Sequence, residues 1–135
     1  NSSLEKTMMG LSKHSKYEVE KIKVLSVQSF FNSIKKSIKG KKLIIKIDTQ
    51  SLDELIVSQL PNHVMKNVVL LNYELTSIQG IKKEKISESK FRKNISIFNK
   101  VWSEELGDVT EDWLVENLHP DRVKKNIETD IYLLK

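Results

Sequence analysis

The residue types that carry catalysis and metal binding are scattered along this chain. Its three histidines, His14, His63 and His119, lie far apart, and none belongs to an H-E-x-x-H motif or an i,i+4 pair. There is no cysteine, which excludes disulfides and thiolate metal sites and favours a reducing compartment. Asp48 follows a predicted strand but has no second carboxylate beside it. We therefore predict no enzymatic activity, no cofactor and no bound metal.

The sequence also lacks the backbone signatures of nucleotide sites and membrane spans. Neither G-x-x-x-x-G-K-[ST] nor G-x-G-x-x-G occurs, and the four glycines are not clustered. No apolar run approaches the roughly 20 residues that a membrane-spanning helix needs. The chain opens on a polar segment without a methionine, which suggests a piece of a larger protein. We expect one globular unit of 135 residues that has no membrane partner.

Charge is distributed unevenly along the chain. Residues 1–50 carry 11 lysines and 4 acids, whereas residues 101–135 carry 4 basic residues and 9 acids. Five lysines cluster in the basic part, and they could contact phosphates of a nucleic-acid backbone without reading sequence. The alternatives are a solvated surface and an internal match between the basic and acidic parts. The clustered lysines are Lys35, Lys36, Lys39, Lys41 and Lys42.

A strand–helix–strand unit organises the middle of the chain. The β-branched run Leu43–Ile47 predicts a buried strand, and Val68–Leu75 predicts another. Between them, residues 51–60 have an apolar stripe of helical period, with Ser51 as N-cap and Glu54 placed for a capping box. Such crossovers join parallel strands, so we predict a small, mostly parallel sheet with helices on both sides.

Further elements are predicted on either side of this unit. Residues 20–26 alternate enough for a short strand, or they open the next helix, which runs over 27–39 and ends at Gly40. A second helix is predicted over 87–106, and a third begins after Thr110 and buries Trp113, Leu114 and Leu118. The stripe of the second helix consists of Phe91, Ile95, Phe98, Trp102 and Leu106, and both tryptophans are predicted to be largely buried.

Other segments are patterned more weakly. Leu4, Met8 and Leu11 have helical spacing, residues 77–80 predict a turn, residues 82–85 a charged loop, and residues 123–127 a turn. Residues 131–134 are typical of a strand or a docked tail.

The segment Glu105–Leu118 resembles the end of a BRCT domain. In that family a helix ends in a small-residue turn, and a short valine-containing strand precedes a last helix with a Trp and an apolar residue, here Trp113 and Leu114. Upstream, Lys39–Ile45 resembles the family's first strand after a glycine turn. The resemblance covers about residues 39–120 and implies a three-layer α/β fold. It divides the chain into an N-terminal helical extension, 1–38, and a BRCT-like domain, 39–135.

The same resemblance implies protein recognition in nuclear or chromatin scaffolds, often of phosphorylated peptides. The family's phosphate pocket uses a hydroxyl after the first strand and a lysine at the start of the second helix. The corresponding positions are Thr49 or Ser51, and Lys90 with Lys93. Charge-assisted hydrogen bonds would hold the phosphate there. Two alternatives remain: Ser51 serves only as a helix cap and Lys90 only as a solvated charge, or the chain is a basic accessory domain that binds nucleic acid through the lysines of 35–42.

Overall fold

The computed structural model describes residues 16–78, 84–119 and 126–135. The predicted helix around Leu4–Leu11 lies outside these ranges, as do parts of the predicted segments 77–80, 82–85 and 123–127. No helix in the described ranges is both long enough and apolar enough to cross a membrane. The helices are α1 Val27–Ser33, α2 Lys35–Ile38, α3 Asp53–Gln59, α4 Asn62–Met65, α5 Glu88–Ile95 and α6 Glu111–Glu116, and the strands are β1 Leu43–Ile47, β2 Val68–Ser77, β3 Lys100–Ser103, β4 Gly107–Asp108 and β5 Ile127–Leu134.

The five strands form one mixed sheet in the order β1-β2-β5-β3-β4. The predicted strand–helix–strand unit is confirmed, because β1 pairs parallel with β2 across the α3–α4 crossover. The prediction of a mostly parallel sheet is wrong, since β2–β5, β5–β3 and β3–β4 are all antiparallel. The three residues between β3 and β4 are too few for a helical crossover, and β5 inserts between β2 and β3 against the direction of both.

The hydrophobic core lies on one face of this sheet. Leu71, Tyr73 and Leu75 of β2, together with Ile131 and Leu133 of β5, are completely buried. Alternate residues of a strand point to the same face, so these five side chains share it. The Tyr73 ring meets Phe91 of α5 edge to face at 6.3 Å. The buried helical residues of the same cluster include Val57, Val64, Phe91, Ile95 and Leu114.

The N-terminal helical stretch is shorter and more broken than predicted. Both alternatives for residues 20–26, a short strand or the opening of the next helix, are wrong, since residues 16–26 form neither helix nor strand and are exposed. Ser26 caps α1 by accepting a hydrogen bond from the backbone N–H of Ser29 (3.1 Å). The helix predicted over 27–39 is interrupted at Ile34, and Gly40 follows with φ +73°, the conformation expected of a glycine that ends a helix. Val27, Phe31 and Ile38 pack against the main core.

Asp53 organises the loop that joins β1 to α3. The predicted capping box at Ser51 and Glu54 is wrong, because α3 begins at Asp53 and Ser51 has a left-handed φ of +90° outside the helix. The Asp53 carboxylate is 1% exposed and accepts hydrogen bonds from the Thr49 N–H (2.9 Å), the Thr49 hydroxyl and the Glu74 N–H (3.0 Å). One buried side chain therefore ties the end of β1 to β2 and to the start of α3.

The helix predicted over 87–106 ends much earlier, at Ile95. Phe91, Ile95 and Phe98 are buried as predicted, but the N–H of Asn99 donates to the Leu134 carbonyl (2.9 Å) and the β ladder begins. Trp102 therefore lies on β3, where it is half-buried and stacks obliquely on Tyr132 with a centroid distance of 5.3 Å.

The last helix is close to its prediction. Thr110 caps α6 by accepting from the Trp113 N–H (3.0 Å), and Leu114 and Leu118 are buried. Trp113 packs against the core and keeps part of its surface exposed, so neither tryptophan is as completely buried as Phe91. Arg92 joins α5 to α6 through ion pairs with Glu111 and Asp112. The strand-like prediction for residues 131–134 is confirmed, and β5 begins at Ile127.

Candidate functional site

An apolar groove, which we call the α1–β1 groove, lies between α1 and the first strand. Its volume is about 680 Å³. Phe30 and Phe31 stand edge to face in its wall with centroids 5.1 Å apart, and Phe30 is 46% exposed. In the described ranges β1 pairs with a strand on one side only, so it lies at the edge of the sheet. The lining residues are Leu25, Ser26, Val27, Phe30, Phe31, Ile45, Lys46, Ile47, Asp48, Thr49, Ile56 and Leu60.

A second groove, which we call the lysine groove, lies between α5 and the end of α3. Its volume is about 580 Å³. Lys90 and Lys93 are exposed and three residues apart on α5, which places them on the same side of the helix. Asn94 anchors the groove floor because its amide donates to the carbonyls of Val57 (2.8 Å) and Leu60 (3.0 Å). The lining residues are Ser26, Val27, Gln28, Ser58, Gln59, Leu60, Pro61, Asn62, Lys90, Lys93 and Asn94.

The two grooves adjoin each other at the N-terminus of α1. Ser26, Val27 and Leu60 line both of them. Together they form a surface that is apolar beside β1 and cationic beside α5. A ligand long enough to occupy both would meet an apolar wall and a pair of lysines in succession.

The structure divides the four predicted phosphate-binding residues between these grooves. Thr49 lines the α1–β1 groove, and its hydroxyl already donates to Asp53. Ser51 is exposed and lines neither groove, whereas Lys90 and Lys93 both line the lysine groove. The predicted hydroxyl and lysines are therefore not brought together into one pocket. Asn94 and the α1 wall were missed, because only the tertiary fold places them beside Lys90 and Lys93.

The five lysines predicted for nucleic-acid contact are all exposed. Within the described part of the chain, no ion pair engages any of Lys35, Lys36, Lys39, Lys41 and Lys42. Lys41 and Lys42 directly precede β1. They lie at the end of the sheet where β2 and β3 begin and β5 ends. We call this the basic edge, because Lys66, Lys100 and Lys135 lie there too.

The opposite end of the sheet is acidic. Glu74 faces Asp130 across β2 and β5, and Thr76 faces Glu128. The pKa of Glu74 is raised above its ordinary value, first because its protonated carboxyl group can donate a hydrogen bond to Glu128, and then by desolvation and the charges of Glu128, Asp48 and Asp53. Within the described ranges, no group of His, Asp or Glu is arranged to hold a metal ion. Asp48 is exposed at this end of β1.

The described histidines do not converge on a common site. His119 pairs with Glu88, and His63 lies half-buried in α4.

Comparisons of the chain with protein-family models, with curated proteins and with solved structures found no match. The BRCT resemblance therefore stays a prediction, and any function must be inferred from the surfaces themselves.

Proposed function

We propose that this domain is a protein-interaction module without catalytic activity, and that it binds an acidic or phosphorylated segment of a partner protein. Apolar side chains of that segment enter the α1–β1 groove, and its anionic side chain meets Lys90 and Lys93. The observation that carries the proposal is the continuity of the two grooves through Ser26, Val27 and Leu60.

Each half of the surface contributes a different kind of binding energy. Burial of apolar groups against Phe30 and its neighbours supplies affinity at about 25 cal/mol per Å² of area removed from water, before the entropic cost of association. Lys90 and Lys93 supply charge-assisted hydrogen bonds to carboxylate or phosphate oxygens. The net charge of +5 raises the rate of encounter with an acidic partner.

The edge position of β1 suggests how the segment is held. In the described ranges β1 pairs with β2 on one side and with no strand on the other. An extended segment can add to such an edge through main-chain hydrogen bonds while its alternate side chains enter the adjacent groove. This mode does not require the Thr49 hydroxyl, which is occupied by Asp53.

A nuclear, reducing location and a BRCT-like relationship belong to the same proposal. Their support is the absence of cysteine and the sequence resemblance over Glu105–Leu118. An assembly role in a chromatin scaffold would follow from that relationship.

Binding to paired phosphorylated and unphosphorylated peptide pools tests the proposal. We expect sequence-selective capture, with phosphorylated or acidic members bound best. The double variant Lys90→Ala/Lys93→Ala should weaken capture about tenfold or more, because each lysine supplies a charge-assisted contact. Phe30→Ala should weaken phosphorylated and unphosphorylated peptides equally.

Lys16→Ala/Lys21→Ala is the matched control, since it removes the same charge from exposed positions outside both grooves. If the control and the Lys90/Lys93 variant lost equal amounts of peptide capture, the effect would come from net charge and not from a specific site. Capture that is insensitive to both the lysine and the phenylalanine substitutions would refute the proposed site.

A further inference from the structure

The face of the sheet opposite the core carries a second surface that the proposed peptide site does not use. The buried core residues of β2 and β5 occupy alternate positions, so the residues between them face the other way. In the described ranges the helices that contribute to the core all pack against the face that carries these buried residues. The strand register aligns two rows on the open face: Ile44, Leu70, Leu134 and Lys100, then Lys46, Asn72, Tyr132 and Trp102.

The middle of these rows is apolar and aromatic. A shallow cavity of about 340 Å³ is lined by Leu70, Lys100, Trp102, Tyr132 and Leu134. The Trp102 and Tyr132 rings lie 5.3 Å apart with 44° between their planes. Ile44 is 71% exposed and Leu134 is 38% exposed. Such a cavity can receive a flat ring against two aromatic side chains.

Cations border this aromatic patch. Lys46 stands at the β1 end of one row and Lys100 at the β3 end of the other, and both are exposed. The basic edge, with Lys41 and Lys42, lies next to the row that contains Ile44. The carboxylates of Glu74, Glu128 and Asp130 occupy the far end of the strands. A polyanion is therefore attracted to the aromatic end of the face and repelled from the other end.

We propose that this open face binds single-stranded nucleic acid. Unpaired bases stack against Trp102 and Tyr132, and the flanking phosphates contact Lys46, Lys100 and the lysines of the basic edge. Stacking of bases on aromatic side chains beside a cationic track is how single strands are held without sequence readout. A duplex keeps its bases stacked on one another, so it can use the lysines but not the rings. This inference goes beyond peptide docking, and of the residues it uses only Lys46 also lines the α1–β1 groove.

Fluorescence anisotropy with labelled dT20, U20 and a 20-base-pair duplex, using the full chain across a salt series, tests the proposal. We expect both single strands to bind more tightly than the duplex. Trp102→Ala should weaken single-strand binding between about fivefold and a hundredfold, the range for loss of one base stack. Trp102→Phe should restore most of the affinity, because it keeps an aromatic face.

The lysines give a separate readout from the rings. Lys46→Ala/Lys100→Ala should weaken binding and make the salt dependence shallower, by about 0.7 in the log–log slope for each phosphate that the variant no longer neutralises. Trp102→Ala should leave that slope unchanged. The matched control, Lys16→Ala/Lys21→Ala, removes two exposed lysines that lie outside the strands of the open face and should leave the dT20 affinity within about twofold of the parent.

Several outcomes would overturn the inference. Equal affinity for duplex and single strand would do so, as would a Trp102→Ala variant that keeps its far-UV circular dichroism and binds dT20 normally. Concentration-dependent dimerisation abolished by Trp102→Ala, with no oligonucleotide binding at low salt, would assign the patch to self-association instead. Peptide capture by the α1–β1 groove is measured independently, so either proposal can fail while the other stands.

Discussion

The two faces of the sheet contain similar side chains in different environments. Leu71, Tyr73 and Leu75 of β2 are completely buried beneath the helices. One residue away, Leu70 shares the open face with Tyr132 and Trp102, and all three keep part of their surface in water. A leucine or an aromatic residue therefore has a structural role on one face and is available for binding on the other. Position in the pleat decides between these roles, because neighbouring residues of a strand point in opposite directions.

Truncating one leucine on each face gives the largest expected contrast. Leu71→Ala leaves a cavity beneath the helices and should lower the free energy of unfolding by about 2–5 kcal/mol. Leu70→Ala removes a half-buried side chain and should cost less than about 1.5 kcal/mol. Urea denaturation of the two variants measures the difference. Equal losses would mean that the open face is as well packed as the covered one.

Asp53→Asn should produce an intermediate loss by loosening the connection between β1 and β2. An asparagine oxygen can still accept from Thr49, but the amide nitrogen cannot accept from the Glu74 N–H, which is left without its partner. We expect a cost of about 1–3 kcal/mol in the free energy of unfolding. Asp48→Asn, at an exposed carboxylate nearby, is the control and should change stability very little. Similar urea midpoints for the two variants would show that the Asp53 hydrogen bonds contribute no net stability.

The smallest effect, and one of opposite sign, is expected at the acidic end of the open face. The pKa of Glu74 in the folded state is raised above its ordinary value of 4.5, first by its hydrogen bond with Glu128. The folded protein thus binds this proton more tightly than the unfolded chain does. The resulting stability is present below about pH 4.5 and is lost as pH rises through the raised pKa.

Glu74→Gln should therefore raise the melting temperature slightly at pH 7 and flatten the pH dependence of stability between pH 4.5 and neutrality. Thermal melts of parent and variant across that range measure the effect. Glu116→Gln, on the exposed side of α6, controls for the change in net charge. A variant that melts below the parent at pH 7 would contradict the assignment of repulsion to the Glu74–Glu128 pair.

Local patterns predicted the strand–helix–strand unit well. Neighbouring residues decide each part of this unit: the β-branched run of β1, the amphipathic stretch that follows it and the apolar run of β2. The Thr110 cap and the glycine at position 40 are local signals of the same kind, and both were predicted correctly.

The errors arose where distant residues decide the structure. The apolar stripe from Phe91 continues at helical spacing through Trp102 and Leu106, yet the ladder with β5 captures Lys100–Ser103 as a strand. Helical spacing cannot show this, because the backbone groups of residues 100–103 pair with Leu134 and its neighbours, which lie about 30 residues further along the chain. The direction of β5 and the meeting of the two grooves depend on the same long-range pairing. Only the lysine content of the surfaces that we propose for binding was visible in the sequence.

The central position of β5 has a consequence for how the domain folds. This strand is the last of the five in sequence, yet it joins β2 to β3 in the sheet. During synthesis β1–β2 and β3–β4 can form as two separate ribbons, but each exposes an unpaired edge until residues 127–134 leave the ribosome. Closing the sheet then requires contacts between residues far apart in sequence, and such a high contact order slows folding. The period before β5 inserts is therefore when the nascent chain is most exposed to aggregation through its open strand edges.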